Sequence, residues 1–402
     1  MASKSPSIHT LSRYLRPQAS LHPRFRQQCH AKQYSSAVAG ARLNGTVEYD
    51  TTPLLYHTSK AALANPELPE DVRKGQTKRI NLYQAVNEAL RHALQSDERV
   101  LVFGEDVQFG GVFRATMNLA TEFGTERVFN TPLSEQGLVG FAIGAASEGM
   151  RPVAEIQFAD YVYPAYDQIV NEAAKYRYMS GTNNVHCGGL VIRMPTGVVG
   201  HGGLYHSQSP ESLFTHIPGL HVVIPRSPTQ AKGLLLSSIR TNDPVVFMEP
   251  KILYRAAIEQ VPVSPFYLPL DKAEILKPGK DITIVSYGQP LYICQAAITA
   301  AEKDFGCSVE LIDLRTVYPW DRETVLESVK KTGRAIVVHE SMQNAGVGAE
   351  VAATIQEKAF LRLEAPVKRV TGWATFTGLM FESLIIPDVT RVYDAIKKTL
   401  DY

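Results

Sequence analysis

The feature that most constrains this chain is the alternation of short, β-branched apolar runs with stretches of helical periodicity. VLVF at 100–103, VAEI at 153–156, GLVIRM at 189–194, HVVIP at 221–225 and VVFM at 245–248 read as buried strands. Helical patterns lie between them. One starts near Ile80, with Leu82, Val86, Leu90 and Ala93 on one face; another begins at Ser134. A third runs from Pro164 to about Tyr178, with Ile169, Ala173 and Tyr176 on its buried side, and a fourth from Pro228 to about Ile239. Strands joined through helices cannot pair as hairpins, so they predict a parallel sheet covered on both faces. Residues 256–271 are rich in Pro and Val without helical periodicity and read as a linker. A second series follows: strands ITIVS (282–286), CSVELI (307–312), AIVVHE (335–340) and KRVTG (368–372), with helices near 290–303, 322–330 and 347–360. The fold class expected is α/β, with two mainly parallel-sheet domains over about 77–255 and 272–402. The polar, Pro-bearing residues 48–76 are expected to form an extended arm.

The chain has 402 residues, enough to bury two cores. A formal net charge of +1 gives no reason to expect nucleic acid or an anionic membrane as partner. No apolar run approaches the roughly 18 residues that a membrane-spanning helix needs. Cys29, Cys187, Cys294 and Cys307 show no CxxC spacing and make no disulfide framework, so a reducing interior is expected. The N-terminus differs from the rest. No acid precedes Glu48, while Lys4, Arg13, Arg16, Arg24, Arg26 and Lys32 lie among Ser, Leu, His and Gln. That is the composition of a mitochondrial transit peptide over residues 1–47, with KQYSSAV at 32–38 as a processing region. A basic tail without targeting value has the same composition.

The helix beginning at Ser134 is unusual. Ser134 is a good N-cap, and Glu135 then sits in the first turn, where free N–H groups and the helix dipole favour a carboxylate. Gly137, Gly140, Gly144 and Ala145 recur three to four residues apart and leave one helix face nearly bare. Glycine in a helix interior costs up to about 1 kcal/mol relative to alanine. Such a face suits something bulky pressed against it, either another helix or a flat cofactor. A tightly packed helix with Glu135 as a dipole-matched acid is the plainer alternative.

Two further stretches carry polar groups suited to chemistry. The loop GVVGHGGLYHSQSPE at 197–211 places His201 and His206 among glycines, which allow close backbone approach and loop movement. A histidine there can exchange protons near neutral pH, or simply be solvated. In IQFADYVYPAYDQ, Gln157 and Tyr161 fall just past a predicted strand's C-terminal end, where open α/β sheets bind ligands. There is no GxxxxGK[ST] loop, GxGxxG fingerprint, HEXXH or G-x-S-x-G elbow, which lowers the weight of hydrolase and nucleotide-dependent classes.

Taken together, SEQG at 134–137, EIQFADY at 155–161 and HSQSPE at 206–211 resemble the β subunit of thiamine-dependent 2-oxo acid dehydrogenases. FGEDV (103–107), NEAAKYRY (171–178), VVIPRSP (222–228), EPKILYR (249–255) and DLRTVYPWD (313–321) extend the likeness from about Asn81 to the C-terminus. FGGVFR, GHGGLYHSQSPE and EPKILYR resemble the branched-chain type more than the pyruvate type. The resemblance implies a transketolase pyrimidine-binding domain followed by a transketolase C-terminal domain. It implies that Glu135 hydrogen-bonds N1′ of the aminopyrimidine, favouring the imino tautomer that deprotonates the thiazolium C2. It places His206 near C2, stabilising charge or passing a proton during acyl transfer to lipoamide, and Leu133, Gln157 and Tyr161 along the cofactor pocket. A structural potassium site would fall on Gly188, Leu190, Val191, Ser238, Thr241 and Asp243, mostly through carbonyl oxygens. The family's GDG…N motif for diphosphate and magnesium does not occur in this sequence. Thiamine diphosphate would therefore be shared, its charged end and magnesium lying on an α subunit. The implied unit is an α2β2 heterotetramer in the mitochondrial matrix, docked to a lipoyl-bearing acyltransferase core and acting on the 2-oxo acids of Leu, Ile and Val. In this reading the second domain serves subunit contacts and docking more than chemistry. A pyruvate-type subunit, a non-catalytic scaffold of the same fold and a self-contained transketolase-like enzyme are the alternatives.

Overall fold

The computed structural model describes residues 47–181 and 185–402. The targeting segment read in the N-terminal sequence lies outside the described residues, apart from Val47. The strands, in chain order, are β1 (Thr77–Asn81), β2 (Val100–Gly104), β3 (Val128–Asn130), β4 (Arg151–Glu155), β5 (Val191–Thr196), β6 (His221–Val223) and β7 (Val245–Pro250). Then come β8 (Ile258–Pro262), β9 (Glu274–Lys277), β10 (Ile282–Ser286), β11 (Val309–Asp313), β12 (Thr316–Tyr318), β13 (Ala335–Met342) and β14 (Lys368–Gly372).

The first sheet has the order β12-β6-β7-β5-β4-β2-β3 and is parallel except where β12 joins β6. The second has the order β14-β13-β10-β11-β9 and is parallel except at β9. The apolar runs explain this. Along β7, Val245 and Phe247 enter one core while Val246 and Met248 enter the other, so both faces are covered and the sequence reads as continuously apolar. Ile284 and Val285 divide in the same way in β10.

The helix Leu82–Ser96 carries a capping box between Asn81 and Gln84 and packs its buried Val86, Leu90 and Ala93 side towards the helix Pro228–Arg240. The predicted second-domain helices are found at Pro290–Phe305, Arg322–Thr332 and Val347–Ala359.

Three expectations need correction. Residues 48–76 are not an extended arm: they include short helices at Ser59–Leu63 and Glu70–Arg73, because Leu54, Leu55, Leu68 and Val72 are drawn into the main core. Residues 256–271 are not a plain linker. β8 pairs antiparallel with β1, and Glu259 is buried, accepting hydrogen bonds from the N–H groups of Tyr56 (2.8 Å) and Thr229 (2.7 Å). The helix expected from Pro164 to Tyr178 is a 3₁₀ turn (Tyr163–Ala165), a π-helical stretch (Gln168–Ala173) and an α-helix (Ala174–Met179). The wide π turn breaks the 3.6 periodicity and lets the adjacent Ala173 and Ala174 both face inward.

The two sheets are interlocked. β12 follows β11 of the second sheet yet closes the edge of the first, opposite β6. Beside it, the buried Arg315 is bonded by both oxygens of Glu67 (2.9 and 2.7 Å) and lies 2.6 Å from Glu274. No helix among the described residues is long and apolar enough to cross a membrane.

Candidate active site

The site is built from chain segments that leave the C-terminal ends of β2, β3, β4 and β5. After β3, Ser134 caps the helix Glu135–Ser147 by accepting from the Gly137 N–H at 3.3 Å. Leu138, Val139, Ala142, Ile143 and Ala146 bury the opposite face. Gly137, Gly140 and Gly144 face outward. A methyl group added at Gly144 would meet nothing within 4 Å, and one at Gly140 only Gln168 Cγ at 3.9 Å. Leu133, 83% exposed, and Phe141, 51% exposed, flank this bare stripe. The bulky neighbour that the sequence called for is not supplied by the described residues of the chain itself.

Glu135 opens that helix, partly accessible. Its charge reaches two neighbours. Glu105, at the end of β2, is buried with Oε1 unpartnered; burial first, then Glu135 and Asp106, raises its pKa. Burial, Asp160, Glu135 and Glu105, in that order, raise the pKa of Tyr161. Tyr161 belongs to a 3₁₀ turn after β4, and its hydroxyl lies 2.8 Å from His206 Nε2. The His206 ring stands edge-on to Phe158, with centroids 4.7 Å apart. Gln157 Nε2 donates to Asp106 Oδ2 at 3.4 Å, bringing the β2 and β4 ends together. Glu135, Tyr161, Gln157 and His206, from three separated stretches of sequence, thus share one region. His201 is exposed.

The loop that carries His206 is tied down from both domains. Asp160 Oδ1 accepts from the N–H groups of Ser207 (3.2 Å) and Gln208 (3.0 Å). Lys251 Nζ, whose pKa burial lowers to about 8, lies 3.9 Å from Asp160 Oδ2. From the second domain, Glu340 accepts from the Val198 N–H at 2.6 Å, and Glu382 accepts from Gly200, Gly202 and Ser207. Gly200 and Gly203 have φ of +107° and +66°, a backbone region open to glycine, and so let the loop fold back on these carboxylates.

Comparison with known proteins assigns this architecture. Residues 78–257 match the family described as "Transketolase, pyrimidine binding domain", and residues 271–392 match "Transketolase, C-terminal domain". Over 389 residues, 96% of this chain and 83% of the relative, the sequence is 66% identical to the mitochondrial 2-oxoisovalerate dehydrogenase subunit beta of Chaetomium thermophilum. It is 59% identical to subunit beta 2 of Arabidopsis thaliana, covering 81% of this chain and 90% of that one. The chain belongs to the 2-oxoisovalerate dehydrogenase β-subunit family. A pyruvate dehydrogenase subunit beta from Staphylococcus epidermidis is 46% identical, over 80% of this chain and 99% of the relative. In three dimensions the chain is similar to a split-gene transketolase described as an inactive β4 tetramer: TM-score 0.64, 24% identity, 80% of this chain and 98% of that chain. That likeness shows the shared fold.

Within this 2-oxoisovalerate dehydrogenase β-type chain, the residues expected around potassium gather where β5 and β7 begin and the helix Pro228–Arg240 ends. Their polar groups are largely engaged. Ser238 Oγ donates to Leu234 O at 2.7 Å, while Leu190 O and Thr241 O accept the N–H groups of Val245 (2.9 Å) and Gly189 (2.8 Å). Asp243 accepts from Arg177 at 2.6 Å and faces His221, whose pKa Asp243 and Asp271 raise to about 9 against the effect of burial. Gly188 and Val191 are buried beside them.

Sequence reasoning missed Glu105, Asp106, Phe158 and Asp160 at the site, and the two carboxylates of the second domain. The first four lay within motifs already singled out, FGEDV and EIQFADY, at strand ends. Glu340 and Glu382 carried no local signal.

Proposed function

We propose that this chain works as the β subunit of a branched-chain 2-oxo acid dehydrogenase, with Glu135 and His206 as its chemical groups. Joined to an α subunit, it takes part in the decarboxylation of branched-chain 2-oxo acids and the reductive acylation of lipoyl groups in the mitochondrial matrix. The observation that carries the reading is the convergence of Glu135, Tyr161 and His206 beside an open, small-residue helix face. That face fits the pyrimidine half of thiamine diphosphate: a carboxylate at the helix entrance, glycines admitting a flat group, and aromatic and amide side chains at the rim.

With the cofactor bound, Glu135 would hydrogen-bond N1′ of the pyrimidine and hold a proton between the carboxyl group and that nitrogen. Leu133, Gln157 and Tyr161 line the pocket. Tyr161 fixes the His206 ring through Nε2, so that His206 can pass a proton or balance charge during acyl transfer. The cofactor, when bound, supplies the electron sink for loss of CO₂. Its diphosphate and magnesium belong to the α subunit, since no GDG…N motif occurs in this sequence. An α2β2 tetramer docked to the acyltransferase core is the working unit. A potassium ion at Gly188, Leu190, Val191, Ser238, Thr241 and Asp243 would bind through main-chain carbonyls and serve structure.

The test is reconstitution with the candidate α subunit and assay of 2-oxo acids one at a time. Glu135→Gln is expected to lower decarboxylation at least about 100-fold while the tetramer still forms, as judged by size-exclusion chromatography. Near-normal turnover by that variant overturns the role of Glu135. Faster turnover of pyruvate than of branched oxo acids reassigns the substrate. Activity of this chain alone with thiamine diphosphate overturns the shared site.

A further inference from the structure

Glu382 lies in a short helix of the second domain (Glu382–Ile385), far along the chain from His206, yet it is 3% exposed. The reason is its set of partners. Oε1 accepts from the Gly200 N–H; Oε2 accepts from the Gly202 N–H and from Ser207 Oγ, each at 3.1 Å. All three donors belong to the loop that carries His206, and Ser207 is the next residue. Gly203 is backed by Leu379 from the same segment as Glu382, with 3.5 Å between Leu379 Cδ1 and the place a Cβ on Gly203 would take. On the other side Asp160 takes the Ser207 and Gln208 N–H groups, and Tyr161 takes the His206 ring. His206 is thus gripped between a first-domain set and a second-domain carboxylate.

We propose that Glu382 is a positioning residue for His206: it folds the 197–208 loop so that the imidazole meets Tyr161, and the second domain thereby takes part in the reaction through the loop. The charge on Glu382 matters because one carboxylate satisfies three donors at once, and ionised acceptors make the stronger bonds. A glutamine has the same shape but turns an NH₂ group towards one of those donor sets. Displacing the loop by about 1 Å is enough to slow a positioned proton transfer severely. Glu340, bonded to the Val198 N–H, steadies the loop's first residues and cannot replace Glu382 at Gly202 and Ser207. The inference rests on the function proposed above.

The test uses the assembled α2β2 complex carrying Glu382→Gln or Ser207→Ala, with His206→Ala as reference. Two quantities are read: amide hydrogen exchange over residues 198–208, and the rate of acyl transfer to lipoyl groups alongside KM for the 2-oxo acid. Glu382→Gln is expected to speed exchange across the loop and lower the transfer rate at least 10-fold, with KM changed less than 2-fold. Ser207→Ala, which removes one donor of three and leaves the domain junction intact, is expected to lower transfer about 3-fold. Normal transfer and unchanged exchange in both variants overturn the proposal, as does a loss confined to KM. If His206→Ala itself transfers normally, the histidine assignment fails instead, and the exchange data alone then decide whether Glu382 holds the loop.

Discussion

Single side chains define the chemistry and the most vulnerable points of the scaffold that supports it. Arg193 on β5 is 1% exposed and lies between Glu155 and Glu249, at 2.6 Å from the former and 2.7 and 2.8 Å from the latter. Burial opposes its charge, but Glu249 and Glu155 more than restore it, so Arg193 stays ionised. Tyr254 adds a hydrogen bond to Glu249 at 2.6 Å. Removing Arg193 strands two carboxyl groups in the sheet that positions Gln157 and Tyr161. Arg193→Ala is expected to destabilise the fold by about 3–5 kcal/mol, measured by urea unfolding of the purified chain. A loss below about 1 kcal/mol would show that the carboxyl groups are relieved some other way. Glu135 belongs to the opposite category: it is partly accessible and tied to little, so its replacement is expected to change function without touching stability.

At the scale of the element, the helix Glu135–Ser147 shows how local cost points to function. Its glycine face is turned outward, and at Gly144 there is open space. Gly144→Ala is therefore expected to stabilise the isolated chain by up to about 1 kcal/mol through helix propensity, raising its Tm. Gly144→Leu is expected to leave that Tm unreduced but to weaken assembly with the α subunit, measured by analytical ultracentrifugation. Unimpaired assembly of the leucine variant would mean that this face is not covered in the complex. The π-helical stretch Gln168–Ala173 teaches the complementary lesson: its inward residues follow the packing beside this helix, where the sequence suggested ordinary periodicity.

At the scale of the whole molecule, the two domains meet through polar contacts around the histidine loop. Tyr287 donates to the buried Glu211 at 2.7 Å, and Glu340 and Glu382 reach the loop backbone. Burial pushes the Glu340 carboxyl up to about 7, against the Val198 N–H and Lys251, with Glu211 and Glu382 adding to the rise. In the unfolded chain it titrates near 4.5, so the folded state holds more protons between these values. Its contribution to stability is full below about pH 4.5 and is lost as pH rises through about 7. Glu340→Gln keeps an acceptor for Val198 and removes this titration. The fall in Tm of the parent chain between pH 5 and pH 8 is expected to be smaller in the variant, read by thermal melts at both values. Equal slopes would place the Glu340 pKa near its ordinary range. The second domain thus holds the loop backbone of the first through Glu340 and Glu382.

The sequence by itself determined the two α/β series, the positions of most strands along the chain and the small-residue helix with Glu135 at its entrance. These are written in local periodicity, capping and glycine spacing, which need no knowledge of distant chain. The family resemblance implied one pocket for Gln157, Tyr161 and His206, and the structure brings the Tyr161 hydroxyl within 2.8 Å of His206 Nε2. Tertiary structure alone decided the pairing of β1 with β8 and the passage of β12 into the first sheet, because edge pairing depends on which distant strand arrives. It alone revealed the grip of Glu340 and Glu382 on the histidine loop. Glu340 at the end of an apolar strand and Glu382 in an apolar stretch carry no mark of their partners in the local sequence, since those partners arrive only when the other domain packs against them.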